Sequence, residues 1–273
     1  MDGISTGELA QMVALLAGFG ALAGVLAGLL GVGGGIVLVP AFFYVFSHLG
    51  FGGDGLMQVC LATSLATIIV TSIRSVMAHH RKGAVDWAIL RGWALGIAVG
   101  AVAGVAMVAA LRTQTLQIIF GVLVMLIASY MAFGRASWRL GDTMPKGVVK
   151  AVISPVVGFI SVLLGIGGGS LGVPLMTLHG VPIHRAVATA AGFGAIIAIP
   201  SVAVFLFTGV ANPPPYTLGS VNLPAFFIVI AMTILTAPLG AALAHRTDPK
   251  RLKRIFAIFL MLVALNMLRK ALM

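Results

Sequence analysis

Leu30 to Pro40 reads LGVGGGIVLVP and Leu164 to Pro174 reads LGIGGGSLGVP, identical at seven of eleven positions. Gly33, Gly34 and Gly35 in one string, and Gly167, Gly168 and Gly169 in the other, interrupt apolar stretches that would otherwise read as helix, because glycine weakens or breaks one. In a membrane such a break exposes N–H groups that lipid cannot satisfy, so it must be buried in protein or line a wet cavity. An anion accepts hydrogen bonds from those groups, and the positive end of a helix starting near Ile36 or near Ser170 favours it. The plainer alternative is that the glycines only let helices cross closely.

Hydroxyls supply a second candidate set. Thr63, Thr67, Thr71 and Arg74 recur at spacings of four, four and three, which lines one face of a helix, with Ser64 beside them. Such hydroxyls bind an oxyanion, or they bond back to carbonyls of their own helix. Thr189 is the counterpart of Thr63 in the second half of the chain. Arg74 lies within an apolar span, where a charge costs about 3 kcal/mol, and so it is a binding candidate by default; snorkelling towards the basic rim is the alternative. His79, His80, Arg81 and Lys82 form that rim, as a positive anchor or as a funnel for anions. Cys60 reads as a small buried apolar residue, and Trp87, Trp93 and Trp138 as interfacial anchors.

The six acidic residues, Asp2, Glu8, Asp54, Asp86, Asp142 and Asp248, all fall at termini, loops or segment edges. Paired-carboxylate catalysis, carboxylate metal sites and an intramembrane proton relay therefore lack their residues. With one cysteine and no nucleophile elbow or HExxH string, no catalytic residue, metal ligand or cofactor is expected, and the chain does not read as an enzyme.

The elements that must carry these residues are membrane helices. Of 273 residues 60% are hydrophobic and 8% charged, against about 25% charged in a soluble domain. The net charge of +11 fits loops facing anionic lipid rather than nucleic acid. Stretches long enough to cross about 30 Å of hydrocarbon occur at about 57–78, 88–110, 115–134, 185–207, 222–244 and 252–271. Two further stretches, 9–47 and 150–178, are the ones broken by glycine, for about eight hydrophobic segments in all. No signal peptide precedes the first.

The two strings lie 134 residues apart, and Gly83-x-Val85-Asp86 matches Gly219-x-Val221-Asn222 at an offset of 136. The chain is read as a duplicated unit: repeat 1 over 1–136, a cytoplasmic junction over 137–148 and repeat 2 over 149–273, together one transport domain. If each broken stretch crosses once, the basic residues other than Arg74 divide nine to seven. If each returns to its own side they divide thirteen to three, which obeys the positive-inside rule. A returning hairpin plus three crossings makes the second repeat inverted, the plan of many transporters. Both termini are then extracytoplasmic, with loops 79–87, 135–150 and 245–254 inside. Hairpin depth and oligomeric state stay open at this point.

The paired glycine strings, the Thr63-Ser-Leu65 sequence and the basic loop ending in Gly83-Ala-Val-Asp-Trp87 together resemble the TauE/SafE-type sulfite exporter family. The resemblance implies an all-α carrier in a bacterial-type inner (plasma) membrane, exporting sulfite, another sulfur oxoanion or an organosulfonate. Its partners would be a small anionic substrate and the lipid bilayer, with no nucleic acid. The second copy carries Thr189-Ala-Ala and Asn222 where the first carries Thr63-Ser-Leu and Asp86, so a path lined by both is not chemically symmetric. The alternatives are an importer of a sulfur-containing or other organic anion, and a membrane binding or regulatory subunit that transports nothing.

Overall fold

The computed structural model describes residues 6–30, 34–134, 138–244 and 249–273. Ten helices occupy almost all of them: α1 (Thr6–Leu30), α2 (Gly35–His48), α3 (Leu56–Arg81), α4 (Trp87–Ala110) and α5 (Thr113–Phe133), then α6 (Gly147–Leu163), α7 (Gly169–Leu178), α8 (Ile183–Phe205), α9 (Leu223–Ala244) and α10 (Pro249–Leu272). Seven are long and apolar enough to cross a membrane, and α2, α6 and α7 are shorter apolar helices. The chain is an integral membrane protein. A two-residue antiparallel pair, β1 (Thr217–Leu218) and β2 (Val221–Asn222), joins Thr217 to Asn222 ahead of α9 and is the one strand element among the described residues.

Each glycine-broken stretch returns to the side it left. The Gln11 side chain meets the His48 ring at 3.0 Å, bringing the start of α1 to the end of α2. In the second half the Leu140 and Gly141 N–H groups donate to the Leu178 carbonyl at 2.8 and 3.3 Å, bringing the segment before α6 to the end of α7. The two hairpins differ in depth. The 25 residues of α1 reach about 37 Å, a full crossing, whereas the 17 of α6 and 10 of α7 reach about 25 and 15 Å.

Local chemistry ends α6 at its glycine string. Gly165 takes a left-handed φ of 57°, its N–H bonds the Val162 carbonyl and the Ile166 N–H bonds the Ser161 carbonyl, both at 2.9 Å. This double bond pattern caps the last carbonyls of a helix and needs a residue free of a Cβ penalty.

Packing repeats when the halves are exchanged: α1 lies on α9 as α6 lies on α4, while α3 meets α8 and α5 meets α10. The crossings are made by small residues, since a Cβ on Gly100 would strike Pro155 and one on Gly240 would strike the Val25 carbonyl. The central pair is α3 and α8, the two most buried of the seven long helices. Trp87 is exposed at the start of α4, but Trp93 is buried at 3% exposure, so it packs in the core and does not anchor the rim. Cys60 is fully buried, as its reading as an apolar residue requires.

Candidate anion site

Ser64 on α3 ties the two glycine strings together. Its hydroxyl donates to the Gly165 carbonyl at 2.7 Å and lies 3.5 Å from the Gly35 carbonyl, all buried. A Cβ on Gly35 would sit 2.6 Å from the Gly165 oxygen, so the strings touch backbone to backbone. Gly33 falls outside the described residues. Gly34 enters α2 with a left-handed φ of 70°; Gly168, in the same place of the second string, has φ −63° and is confined instead by α8. A Cβ there would run into Phe193 and lie 2.5 Å from the Ala190 carbonyl.

Most of the hydroxyl row is occupied by backbone. Thr63 Oγ1 accepts the Asn222 N–H at 3.0 Å and Thr189 Oγ1 accepts the Asp86 N–H at 2.9 Å, the same bond made twice with the halves exchanged. Asn222 and Asp86 in turn hold the first N–H groups of α9 and α4, as capping residues do. Asp86 also pairs with Arg185 at 3.2 Å. Thr67 donates to the Ser64 carbonyl at 2.7 Å, and Thr71 to the Thr67 carbonyl at 3.2 Å. Bonding back to the helix is therefore what these two threonines do.

The remaining candidates converge on a cavity of about 430 Å³ at the C-terminal half of α3. Thr71, Ser72, Arg74, Ser75 and His79 of α3 line it, facing Gly167, Gly168 and Gly169 at the start of α7. Ala27 of α1, Ala190 and Ala191 of α8, and Thr233, Ile234, Ala237 and Pro238 of α9 also line it, and among the described residues none of the lining is acidic. Among the described residues no carboxylate pairs with Arg74. The first turn of α7 adds N–H groups without helical acceptors and a partial positive charge. Its first helical bond runs from the Gly172 N–H to the Gly168 carbonyl at 2.7 Å, leaving the preceding N–H groups to other partners.

Among the described residues three buried hydroxyls have no partner, and two of them, Ser170 and Thr233, belong to elements that border this cavity. Ser170, next after the glycine run, and Thr233 on α9 are buried with unpartnered Oγ and Oγ1. Orphan buried hydroxyls are rare and costly, of order 1–3 kcal/mol each. Thr233 escaped the sequence reading because α9 is otherwise apolar and its two threonines, Thr233 and Thr236, make too short a row to stand out. Its signal was the break in the repeat, since the matching position at an offset of 136 is Ile97.

A guanidinium, a helix N-terminus and a spare hydroxyl on a wall without carboxylates among the described residues suit an anion better than a cation, inside a bundle of membrane helices. That combination belongs to membrane transporters. The chain belongs to the TauE/SafE sulfite exporter family, whose model matches residues 16–267. It is 34% identical over 253 residues to a "Probable membrane transporter protein" of Haemophilus influenzae, covering 92% of this chain and 96% of that one. Proteins bearing the same description in Methanocaldococcus jannaschii and Bacillus subtilis are each 27% identical, covering 96% and 93% of this chain and 97% and 96% of theirs. No solved structure matches the chain.

Proposed function

We propose that the protein is a secondary transporter that exports a small anion, sulfite or another sulfur oxoanion or organosulfonate, from the cytoplasm across an inner membrane. The cavity between Arg74 and the start of α7 carries this reading, because the Arg74 guanidinium and the positive end of α7 both favour an anion. The cavity lies at the end of α3 that carries His79, His80, Arg81 and Lys82, with Arg91 and Arg185 on neighbouring helix starts. Under the positive-inside rule that face is cytoplasmic and both termini are outside. Repeats 1–136 and 149–273, joined by 137–148, act as one transport unit, meeting at the Ser64 contact.

With no carboxylate in the path to carry a proton, the membrane potential is the direct source of drive. A monoanion leaving a negative-inside cell gains about 2.3 kcal/mol per 100 mV, roughly fiftyfold. Proteoliposomes loaded with sulfite, sulfate, thiosulfate, taurine or sulfoacetate under a potassium-valinomycin potential test both points. One sulfur anion should leave in a voltage-dependent way, and Arg74→Gln should slow it at equal protein abundance. Flux that ignored voltage and required a pH gradient would overturn the drive; no flux of any anion would favour a regulatory subunit.

A further inference from the structure

A second cavity, of about 200 Å³, separate from the anion site, opens between α1, α2 and α10. Its walls are Phe19, Leu22, Val37, Ala41 and Val263, and Lys270 stands at its end. The Lys270 ammonium lies 5.6 Å from the Phe43 ring centre and 5.5 Å from that of Tyr44. Among the described residues no carboxylate pairs with it. Tyr44 is half exposed, stacks on His48 with planes 3° apart, and meets Phe19 edge-on.

Two of the three walls, α1 and α10, are long and apolar enough to cross a membrane, which sets the groove at the depth of acyl chains. A groove without protein atoms on one side forfeits dispersion contacts that a hydrocarbon chain restores. From Val37 to Tyr44 the groove follows seven residues of α2, about 10 Å, a length suited to part of one acyl tail. A cation set among aromatic rings at the end of a hydrocarbon slot is what an anionic headgroup above one tail requires. The duplicated fold does not oblige the chain to build this. At the matching places of the other half stand Thr177, Leu178 and Gly134 instead of Phe43, Tyr44 and Lys270, so the rings and the charge are special to one copy.

We infer that this groove binds one anionic phospholipid, with an acyl tail between α1, α2 and α10 and the phosphate on Lys270. The lipid braces α2, the arm that carries the first glycine string. Nothing in this assignment depends on what the transporter carries.

Native mass spectrometry of the full chain released from nanodiscs of phosphatidylcholine with one-third phosphatidylglycerol tests it. The wild type should retain one phosphatidylglycerol in preference to phosphatidylcholine. Lys270→Gln should reduce that preference about fivefold, the scale of one basic residue at a lipid surface. Leu22→Trp, at a half-exposed groove position, should remove bound lipid of both kinds; Val263→Trp fills the groove from the other wall should the first variant express poorly. Lys146→Gln, exposed beyond the opposite end of the bundle, should change nothing. Equal retention of the two lipids by the wild type would overturn the inference, as would unaltered retention in both Lys270→Gln and a groove-filling variant.

Discussion

The two glycine strings occupy equivalent places in the fold, yet the second faces an open cavity that carries Arg74 and several hydroxyls, and the first faces packed side chains. The positions that stand to the first string as Thr71, Ser72, His79 and Thr233 stand to the second are Ile197, Ala198, Phe205 and Ile97, all buried. Arg74 has Pro200 as its counterpart. Ser201, the counterpart of Ser75, bonds back to the Ile197 carbonyl at 2.7 Å, and Ser161, the counterpart of Ala27, has a buried hydroxyl without a partner. Duplication thus supplied the backbone break twice, while the charge was placed once.

The sharpest way to break this comparison is to fill each string. Gly168→Val drives a branched side chain into Phe193 and the Ala190 carbonyl of α8, at the edge of the cavity. Gly34→Val forces a β-branched residue to a φ of 70°, a strained position for such a side chain. Gly168→Val should lower flux more than 100-fold at equal membrane abundance, and Gly34→Val should do so mainly by destabilising the fold. Flux per folded molecule, with melting followed in parallel, separates the two. Normal flux in both would reduce the strings to close helix crossings.

Arg74→Gln comes next. Losing one charge-assisted contact of about 1.5–3 kcal/mol should weaken substrate affinity roughly 10- to 100-fold. Thr233→Val keeps the shape and removes one hydroxyl, for about a fivefold loss. The reciprocal change Ile97→Thr, in the closed copy, should leave affinity where it was. If Ile97→Thr and Thr233→Val shifted affinity alike, both copies would be lining one path in use, and the comparison would fail.

These predictions concern residues whose surroundings were legible to very different degrees. Helix spans read from apolar runs agree with α3, α4, α5, α8, α9 and α10 to within a few residues, because a bilayer demands about 20 apolar residues wherever a helix crosses. The returning hairpins were readable from loop charge, and the Gln11–His48 and Leu140–Leu178 contacts agree with them. Gathering Arg74 with Gly167 to Gly169 was within reach as well, since burial costs single out an intramembrane charge and a broken helix. The partners of Thr63 and Thr189 were not, because they lie 159 and 103 residues away and local spacing carries no trace of them. Trp93 was misread because an aromatic near a span edge looks the same whether it faces lipid or another helix.

The threonine contacts give a smaller and more symmetric test. Thr63→Val leaves the Asn222 N–H without an acceptor in a fully buried setting, whereas Thr189→Val does the same to the Asp86 N–H where burial is partial. A stranded buried donor costs about 1–3 kcal/mol, so Thr63→Val should lower Tm by roughly 3–9 °C in a chain of this size, and Thr189→Val by less. Equal drops would mean that both contacts are equally dry. Neither variant should alter the relative rates for competing anions. A change in selectivity would return the two hydroxyls to the substrate site.

The smallest effect belongs to the one position where the halves differ in charge but not in role. Asp86 and Asn222 both cap a helix start and both expose their N–H to a threonine of the other half, but only Asp86 also pairs with an arginine. Asp86→Asn makes the halves alike. Asparagine caps a helix about as well as aspartate, so what disappears is the Arg185 pair, at a site where the arginine side chain is 52% exposed. Exposed pairs contribute about 0–1 kcal/mol and weaken with salt. Tm should therefore fall by no more than about 3 °C at low salt, and the difference should vanish by about 1 M salt. A larger loss that persisted in high salt would show Asp86 doing something Asn222 cannot, such as holding the start of α8 in place. The asymmetry between the repeats would then extend beyond the anion cavity to the contacts that frame it.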